Sequence, residues 1–339
     1  MPNITYKCPA CGGALRFNPP DAKYVCEYCL SSFDEIDIAE KRGAQEQEYS
    51  GTTLYTCPSC GAELVTDDTT AATKCYYCHN PVVLTGRLSR EWTPDCVIPF
   101  GIDRETAKSE LKKWLKKKIY VPKDFAEDKN IDGITGIYYP YWLADYSAFS
   151  SFEGEGVTVS HMATSTHNIT TRRYYKVVRK GNIEYKNLQR PALGKADHKL
   201  ADGVHPFEYD KLEDYKDSYL SGFMAEKRDI ETDNIKSSVE NELLGYAKGL
   251  LTSDCRYSSL SGTAQTNFTE SKYKYALLPS WIITYKSHDK NKPYYYAMNG
   301  QTKSVCGILP VDKNKLLLHC GIIAAVIAVL LCLGGYFLW

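Results

Sequence analysis

Hydrophobic and polar positions alternate with three different rhythms along this chain, and one segment lacks polar positions almost entirely. Residues 316–339 form a run of 24 without a formal charge, in which His319 is the strongly polar side chain. At 1.5 Å rise per residue such a helix is about 36 Å long, enough for a hydrocarbon core of about 30 Å. Its far end carries Tyr336, Phe337 and Trp339, side chains suited to a membrane interface, and Gly334-Gly335 is tolerated in a span. Lys313 and Lys315 stand just before the run and no basic residue follows it. The positive-inside rule then predicts a single-pass protein of the cell membrane with its N-terminal domains in the cytoplasm. The first residues, Met-Pro-Asn-Ile-Thr-Tyr-Lys, contain no apolar stretch, so no signal peptide is expected.

Helical periodicity occurs twice upstream. Asp103 is placed to cap a helix running to about Lys118, with Ala107, Leu111, Trp114, Leu115 and Ile119 as its apolar stripe. Ile235, Val239, Leu243, Tyr246 and Leu250 predict a second helix, capped by Thr232 or Asp233. Between and after them the rhythm is that of strands. Residues 134–152 read as strand, 173–188 as a hairpin turning at 180–182, and 275–307 as a meander with turns at 289–292 and 299–300. Tyr139-Pro140-Tyr141-Trp142-Leu143 followed by Tyr146 echoes Leu278-Pro279-Ser280-Trp281-Ile282 followed by Tyr285. These aromatics suit a core better than a ligand cage. The class is α+β, with antiparallel strands in a central domain at 91–312.

The remaining signal is covalent chemistry. Cys8, Cys11, Cys26 and Cys29 read C-x2-C-x14-C-x2-C, and Cys57, Cys60, Cys75 and Cys78 repeat that spacing 49 residues later. Two such knuckles supply four soft ligands to a tetrahedral metal, so each copy predicts a zinc ribbon and the chain two structural Zn²⁺ ions. Each first knuckle is C-P-x-C-G, where Gly12 or Gly61 allows a tight turn. The ribbons occupy 1–33 and 55–90. Polar residues 34–54 predict an exposed linker with a short helix at 36–47. Cys75-Tyr76-Tyr77-Cys78-His79 also spells the c-type haem attachment sequence, but haem would account for two cysteines where the repeat accounts for four.

Charge narrows the functions. Lys plus Arg equals Asp plus Glu at 41 each, and two tetrathiolate zinc sites at about −2 each make the chain mildly acidic. Neither ribbon has the basic footprint of a phosphate binder, so nucleic acid is a weaker expectation than protein contact. The first predicted helix does carry Lys108, Lys112, Lys113, Lys116, Lys117 and Lys118. These read first as a solvated face, next as a surface for anionic lipid headgroups near the anchor, and last as a nucleic-acid contact. Four thiolates leave a metal no open position. Phosphate loops, nucleophile elbows and H-E-x-x-H helices are missing from the sequence, so no enzyme is expected.

The chain resembles the bacterial TFIIB-type zinc-ribbon-containing membrane proteins. The likeness rests on Y-x-C-P-x-C-G at 6–12 and 55–61, Ile98-Pro99-Phe100, Tyr139-Pro140-Tyr141-Trp142, the run Tyr275 through Trp281, and Ala297-Met298-Asn299-Gly300-Gln301-Thr302. Lys303 stands where that family usually has glycine. The resemblance implies cytoplasmic ribbons on an anchored α+β domain. It also implies an adaptor that brings phage-shock-type or flotillin-like (SPFH) partners to the lipid bilayer in envelope stress. A tethered nucleic-acid-binding regulator is the alternative.

Overall fold

The computed structural model describes residues 4–338 apart from 35–38, 43–46, 50–51, 60–62, 68, 76–79, 85–91, 123–124, 126–130, 132, 165, 195–202 and 287–292. The first cysteine repeat forms β1 (Ile4–Lys7), β2 (Leu15–Asn18), β3 (Lys23–Cys26) and β4 (Ser32–Phe33). After β5 (Ala39–Arg42) and β6 (Gln47–Tyr49), the second repeat forms β7 (Thr52–Thr56), β8 (Glu63–Asp67), β9 (Thr70–Lys74) and β10 (Pro81–Val83). Then come β11 (Cys96–Val97), α1 (Arg104–Lys116), β12 (Thr135–Ala163), β13 (Asn168–Pro191), β14 (Glu213–Asp214) and β15 (Met224–Glu226). The chain closes with α2 (Thr232–Thr252), β16 (Ser259–Lys286), β17 (Pro293–Asn299), β18 (Val305–Gly307) and α3 (Lys313–Leu338). The class is mixed α+β with largely antiparallel pairing. The chain divides into two units: Met1–Tyr139 with Lys195–Lys227 and Leu277–Trp339, and Pro140–Gly194 with Arg228–Ala276.

In the first unit, strand pairing runs across the boundaries drawn from sequence. β1 of the first repeat pairs with β10 of the second at Ile4↔Val83 and with β5 from Ile4↔Arg42 to Lys7↔Ala39. β9 continues to β15 at Ala225↔Ala72, and β15 runs parallel to β12 at Ile137↔Met224. Of the short helix expected at 36–47, the described residues are strand, at 39–42 and at 47, and 36–38 and 43–46 lie outside the described residues. An isolated short helix is marginal in water, whereas β1 offers an open row of backbone partners.

The motif residues of the first unit converge on one aromatic core. Phe100 stacks on Phe223 at 4.1 Å and meets Tyr138 and Trp281 edge-on, each at 5.0 Å. Gly136 is required there, because a Cβ would sit 2.6 Å from the Phe223 ring. Asn299, fully buried, donates to the carbonyls of Val204 and Pro206 and accepts from the amides of Gln301 and Thr302. The N-G-Q-T turn thus clamps a neighbouring segment.

α1 is capped as expected: Asp103 Oδ1 accepts from the Thr106 amide at 2.8 Å, and Ala107, Leu111 and Leu115 are buried. It ends at Lys116, short of the expected Lys118, so Ile119 leaves the apolar stripe and is 65% exposed.

In the second unit β12 and β13 form one antiparallel ladder from Tyr141↔Pro191 to Ala163↔Asn168, with a bulge between Ala144 and Tyr146. The turn expected at 180–182 is absent, because Gly181 faces Ser150 in mid-ladder and the chain reverses where the Thr164 amide meets the His167 carbonyl. A partner strand as long as β12 extends the pairing past a local turn signal. α2 lays Val239 and Leu243 on Ala144 and Tyr146. Its third buried residue is Ala247, while Tyr246 and Leu250 are exposed. The period predicted the helix, but the strands beneath it decide which residues are covered. Trp142 donates to the Ile230 carbonyl at 2.8 Å, and the Arg228 guanidinium lies 4.9 Å from both the Trp142 and Tyr275 rings. These aromatics are core, held by a cation–π contact.

Candidate metal centre

Two tight turns build the site. Cys8 opens the first, where the Cys8 amide donates to Gly13 O at 2.7 Å and the Gly12 amide to Cys8 O at 2.8 Å. Cys26 opens the second, where its amide donates to Ser31 O at 3.0 Å and the Leu30 amide to Cys26 O at 2.9 Å. Each turn reverses on a left-handed residue just after its second cysteine: Gly12 at φ +74° and Leu30 at φ +61°. Glycine takes that conformation freely, and leucine takes it under strain.

These turns bring four sulfurs together. The Sγ atoms of Cys8, Cys11, Cys26 and Cys29 all lie within 4.8 Å of one another. Cys8 and Cys29 are 3.6 Å apart and Cys11 and Cys26 3.5 Å. A tetrahedron with metal–sulfur bonds of about 2.3 Å has edges of about 3.8 Å, while a disulfide needs about 2.05 Å. The group therefore fits a four-coordinate metal and is compatible with a zinc site. Cys8 and Cys26 are buried and Cys11 and Cys29 exposed. A Cβ on Gly13 would lie 2.6 Å from the Tyr28 ring and 3.2 Å from Cys26 Sγ, so the backbone closes over the sulfurs.

The electrostatics suit a cation. The Ser31 hydroxyl, followed by its amide, lowers the Cys29 thiol to about 6. The Gly13 amide also pulls Cys11 down, but the Cys26 and Cys29 thiols outweigh it and leave Cys11 at about 12. Four clustered thiols cannot all ionise without a positive charge among them, which a divalent metal supplies when bound.

The 49-residue repeat is structural. Buried Tyr6 and Leu15 recur as buried Tyr55 and Leu64, and the Cys26-to-Ser31 bond recurs from the Cys75 amide to Asn80 O at 3.0 Å. Cys57 and Cys75 are buried with Tyr55, Leu64, Val82 and Leu84. Cys60 and Cys78, together with Gly61 and His79, lie outside the described residues, so among the described residues a complete four-cysteine group occurs once. The repeats also touch: Lys7 Nζ and Asn80 Nδ2 both donate to Ser59 Oγ, at 2.5 and 2.6 Å.

Around the first centre the surface is mixed. Tyr28 and Leu30, on the second turn, are 71% and 78% exposed. Arg16 pairs with Glu27 at 3.4 Å and Lys23 with Asp34 at 3.6 Å. The β2 strand docks through Phe17, whose amide bonds Ser221 O at 3.1 Å and whose ring meets Tyr219 edge-on at 5.4 Å. A cavity of about 290 Å³ beside it is lined by Arg16, Glu27, Asp103, Arg104, Phe223 and Trp281. Its polar groups are committed: Arg16 to Glu27, Asp103 to the α1 cap, and Arg104 Nε to Ile134 O.

The six lysines do not form one surface. Lys108 pairs with Glu105 and Lys113 with Glu110, both at 2.9 Å, and Lys112 lies exposed on the same helix. Lys116, Lys117 and Lys118 cluster at the helix end, with Lys118 over the Trp114 ring at 4.9 Å. Among the described residues α3 is the helix long and apolar enough to cross a membrane, and its segment Lys313–Leu331 is unburied. That segment is a candidate anchor. Sequence reasoning missed its tie to the rest of the unit: the Asp312 amide donates to Tyr120 O at 2.7 Å and Lys315 Nζ to Val121 O at 3.0 Å.

The chain is 30% identical over 324 residues to an uncharacterised protein, YdjG, of Bacillus subtilis (strain 168), a match covering 92% of each chain. No family model matches the chain. No solved structure matches it.

Proposed function

This chain belongs to the family of Bacillus subtilis YdjG, and from its own residues we propose that it is a membrane-anchored adaptor whose zinc ribbons dock protein partners on the cytoplasmic side. In this reading Cys8, Cys11, Cys26 and Cys29 hold one structural Zn²⁺, and Cys57, Cys60, Cys75 and Cys78 a second. The observation that carries it is the closed tetrathiolate group with Tyr28 and Leu30 standing exposed on its outer turn. With four thiolates bound, a metal has no position left for water or substrate, so the centre works as a rigid support for the side chains around it. Rigid exposed aromatic and aliphatic residues suit protein docking. The apolar α3 supports the anchor, and Lys313 and Lys315 before it support the cytoplasmic orientation. Phage-shock-type or flotillin-like proteins are the partner class that the family resemblance raises.

The test is affinity purification of the full chain from solubilised membranes. Tyr28→Ser/Leu30→Ser, and separately Cys57→Ser/Cys60→Ser, are expected to lose partners that the natural chain retains. An unchanged set of co-purifying proteins in both variants refutes ribbon docking.

A further inference from the structure

The end of α1 and the start of α3 meet at one place, and their residues are of two kinds. Tyr120 O accepts from the Asp312 amide at 2.7 Å, and Val121 O accepts from Lys315 Nζ at 3.0 Å. Farther along, the Tyr120 ring lies 5.5 Å from the His319 imidazole, and its hydroxyl is 3.4 Å from His319 Nδ1. Asp312 caps α3 through its Oδ1, which accepts from the amides of Asn314 and Lys315 at 3.1 Å each. The loop after α1 is thus pinned to the first two turns of the apolar helix. That places Lys116, Lys117, Lys118 and Ile119 where a bilayer entered by α3 would have its headgroups.

The side chains there match such a surface. Lys116, Lys117 and Lys118 are exposed, and Lys313 adds a fourth amine at the start of α3. Ile119 and Val311, 65% and 55% exposed, are large apolar residues that gain nothing from water. Amines with adjacent apolar side chains are what an anionic interface accommodates: the amines meet phosphates, and the aliphatic groups enter the acyl boundary.

We infer that Lys116–Lys118, Ile119 and Val311 form a seat for anionic phospholipid headgroups at the base of the anchor. The inference rests on the anchored reading of α3 and deepens it by naming the lipid. The seat holds the first unit against the membrane, so α1 and the strands behind it are oriented as well as tethered.

Lysine acetylation kinetics read this directly. The full chain is reconstituted in nanodiscs of phosphatidylcholine alone or with phosphatidylglycerol, treated with a water-soluble acylating reagent, and digested for mass spectrometry. Lys116, Lys117 and Lys118 are expected to react about fivefold or more slowly in the anionic discs, while Lys23 on the ribbon reacts alike in both. Raising salt from about 0.1 to 1 M, which shortens the Debye length from about 10 to 3 Å, should remove much of the difference. Soluble glycerol phosphate added to phosphatidylcholine discs should not reproduce it; if it does, the site binds free phosphate and the lipid assignment falls. Equal rates in the two discs overturn the headgroup seat and leave the anchor standing. Failure of the chain to float with vesicles of either composition overturns the anchor and the seat together.

Discussion

The two turns of the first centre offer a matched experiment in backbone strain. Gly12 and Leu30 hold equivalent places, each left-handed, each following a cysteine of the four-sulfur group. A side chain in that conformation costs about 1–2 kcal/mol. Leu30→Gly removes that strain, returns about 0.5–1 kcal/mol through the greater freedom of glycine in the unfolded chain, and sacrifices little burial because Leu30 is 78% exposed. The net gain is about 0.5–1 kcal/mol. Because such turns set as the metal binds, this becomes a rise of about two- to fivefold in metal affinity. Gly12→Ala is the converse. No atom lies within 4 Å of the added Cβ, so no clash adds to the strain, and the net cost of about 0.5–1 kcal/mol lowers affinity by about two- to fivefold. Gly13→Ala should weaken binding further, since its Cβ meets the Tyr28 ring at 2.6 Å and Cys26 Sγ at 3.2 Å. Competition between the detergent-solubilised full chain and a chromophoric zinc chelator reads the order: Leu30→Gly tightest, then the natural chain, Gly12→Ala and Gly13→Ala. Weaker binding by Leu30→Gly, or natural affinity in Gly12→Ala, would refute the reasoning.

Two further outcomes test the fold that supports the centre. Asn299→Ala abolishes four hydrogen bonds at a fully buried position and should destabilise the first unit by about 2–4 kcal/mol. Lys303→Gly, at φ +65° on the same turn, should stabilise it by about 0.5–1 kcal/mol, and opposite shifts in thermal midpoint check the pair. Gly154→Ala would place a Cβ 2.1 Å from Ser261 O and should unfold or displace β16 from β12, whereas Gly181→Ala, with open space around it, should not; limited proteolysis distinguishes the two.

Much of the candidate site was legible because metal ligation depends on spacing along the chain. Two cysteines three apart must share a turn, and a repeat at a constant offset implies the same turn twice. The 49-residue echo accordingly reappears in burial, at Tyr6 and Tyr55 and at Leu15 and Leu64. The α1 cap and the long apolar α3 were legible for the same local reason. Less legible was Lys303. The resemblance read from sequence led to an expectation of glycine there, and the backbone at Lys303 is left-handed, a conformation glycine takes freely.

Boundaries and partnerships were another matter. Residues 39–42 of the polar linker became β5 because β1 had an unpaired edge, and the turn at Gly181 vanished because β12 was long enough to pair straight through it. Tyr246 and Leu250 obey the helical period yet lie exposed. Six lysines on one predicted helix resolved into two ion pairs, an exposed Lys112 and an exposed cluster at the helix end beside α3. Local chemistry therefore settled the paired-cysteine turns, the cap and the apolar helix, since each depends on residues within a few positions of one another. Long-range pairing settled the rest: a strand edge, a covered face or a neighbour for a lysine is supplied by residues tens to hundreds of positions away, and no local pattern carries that information.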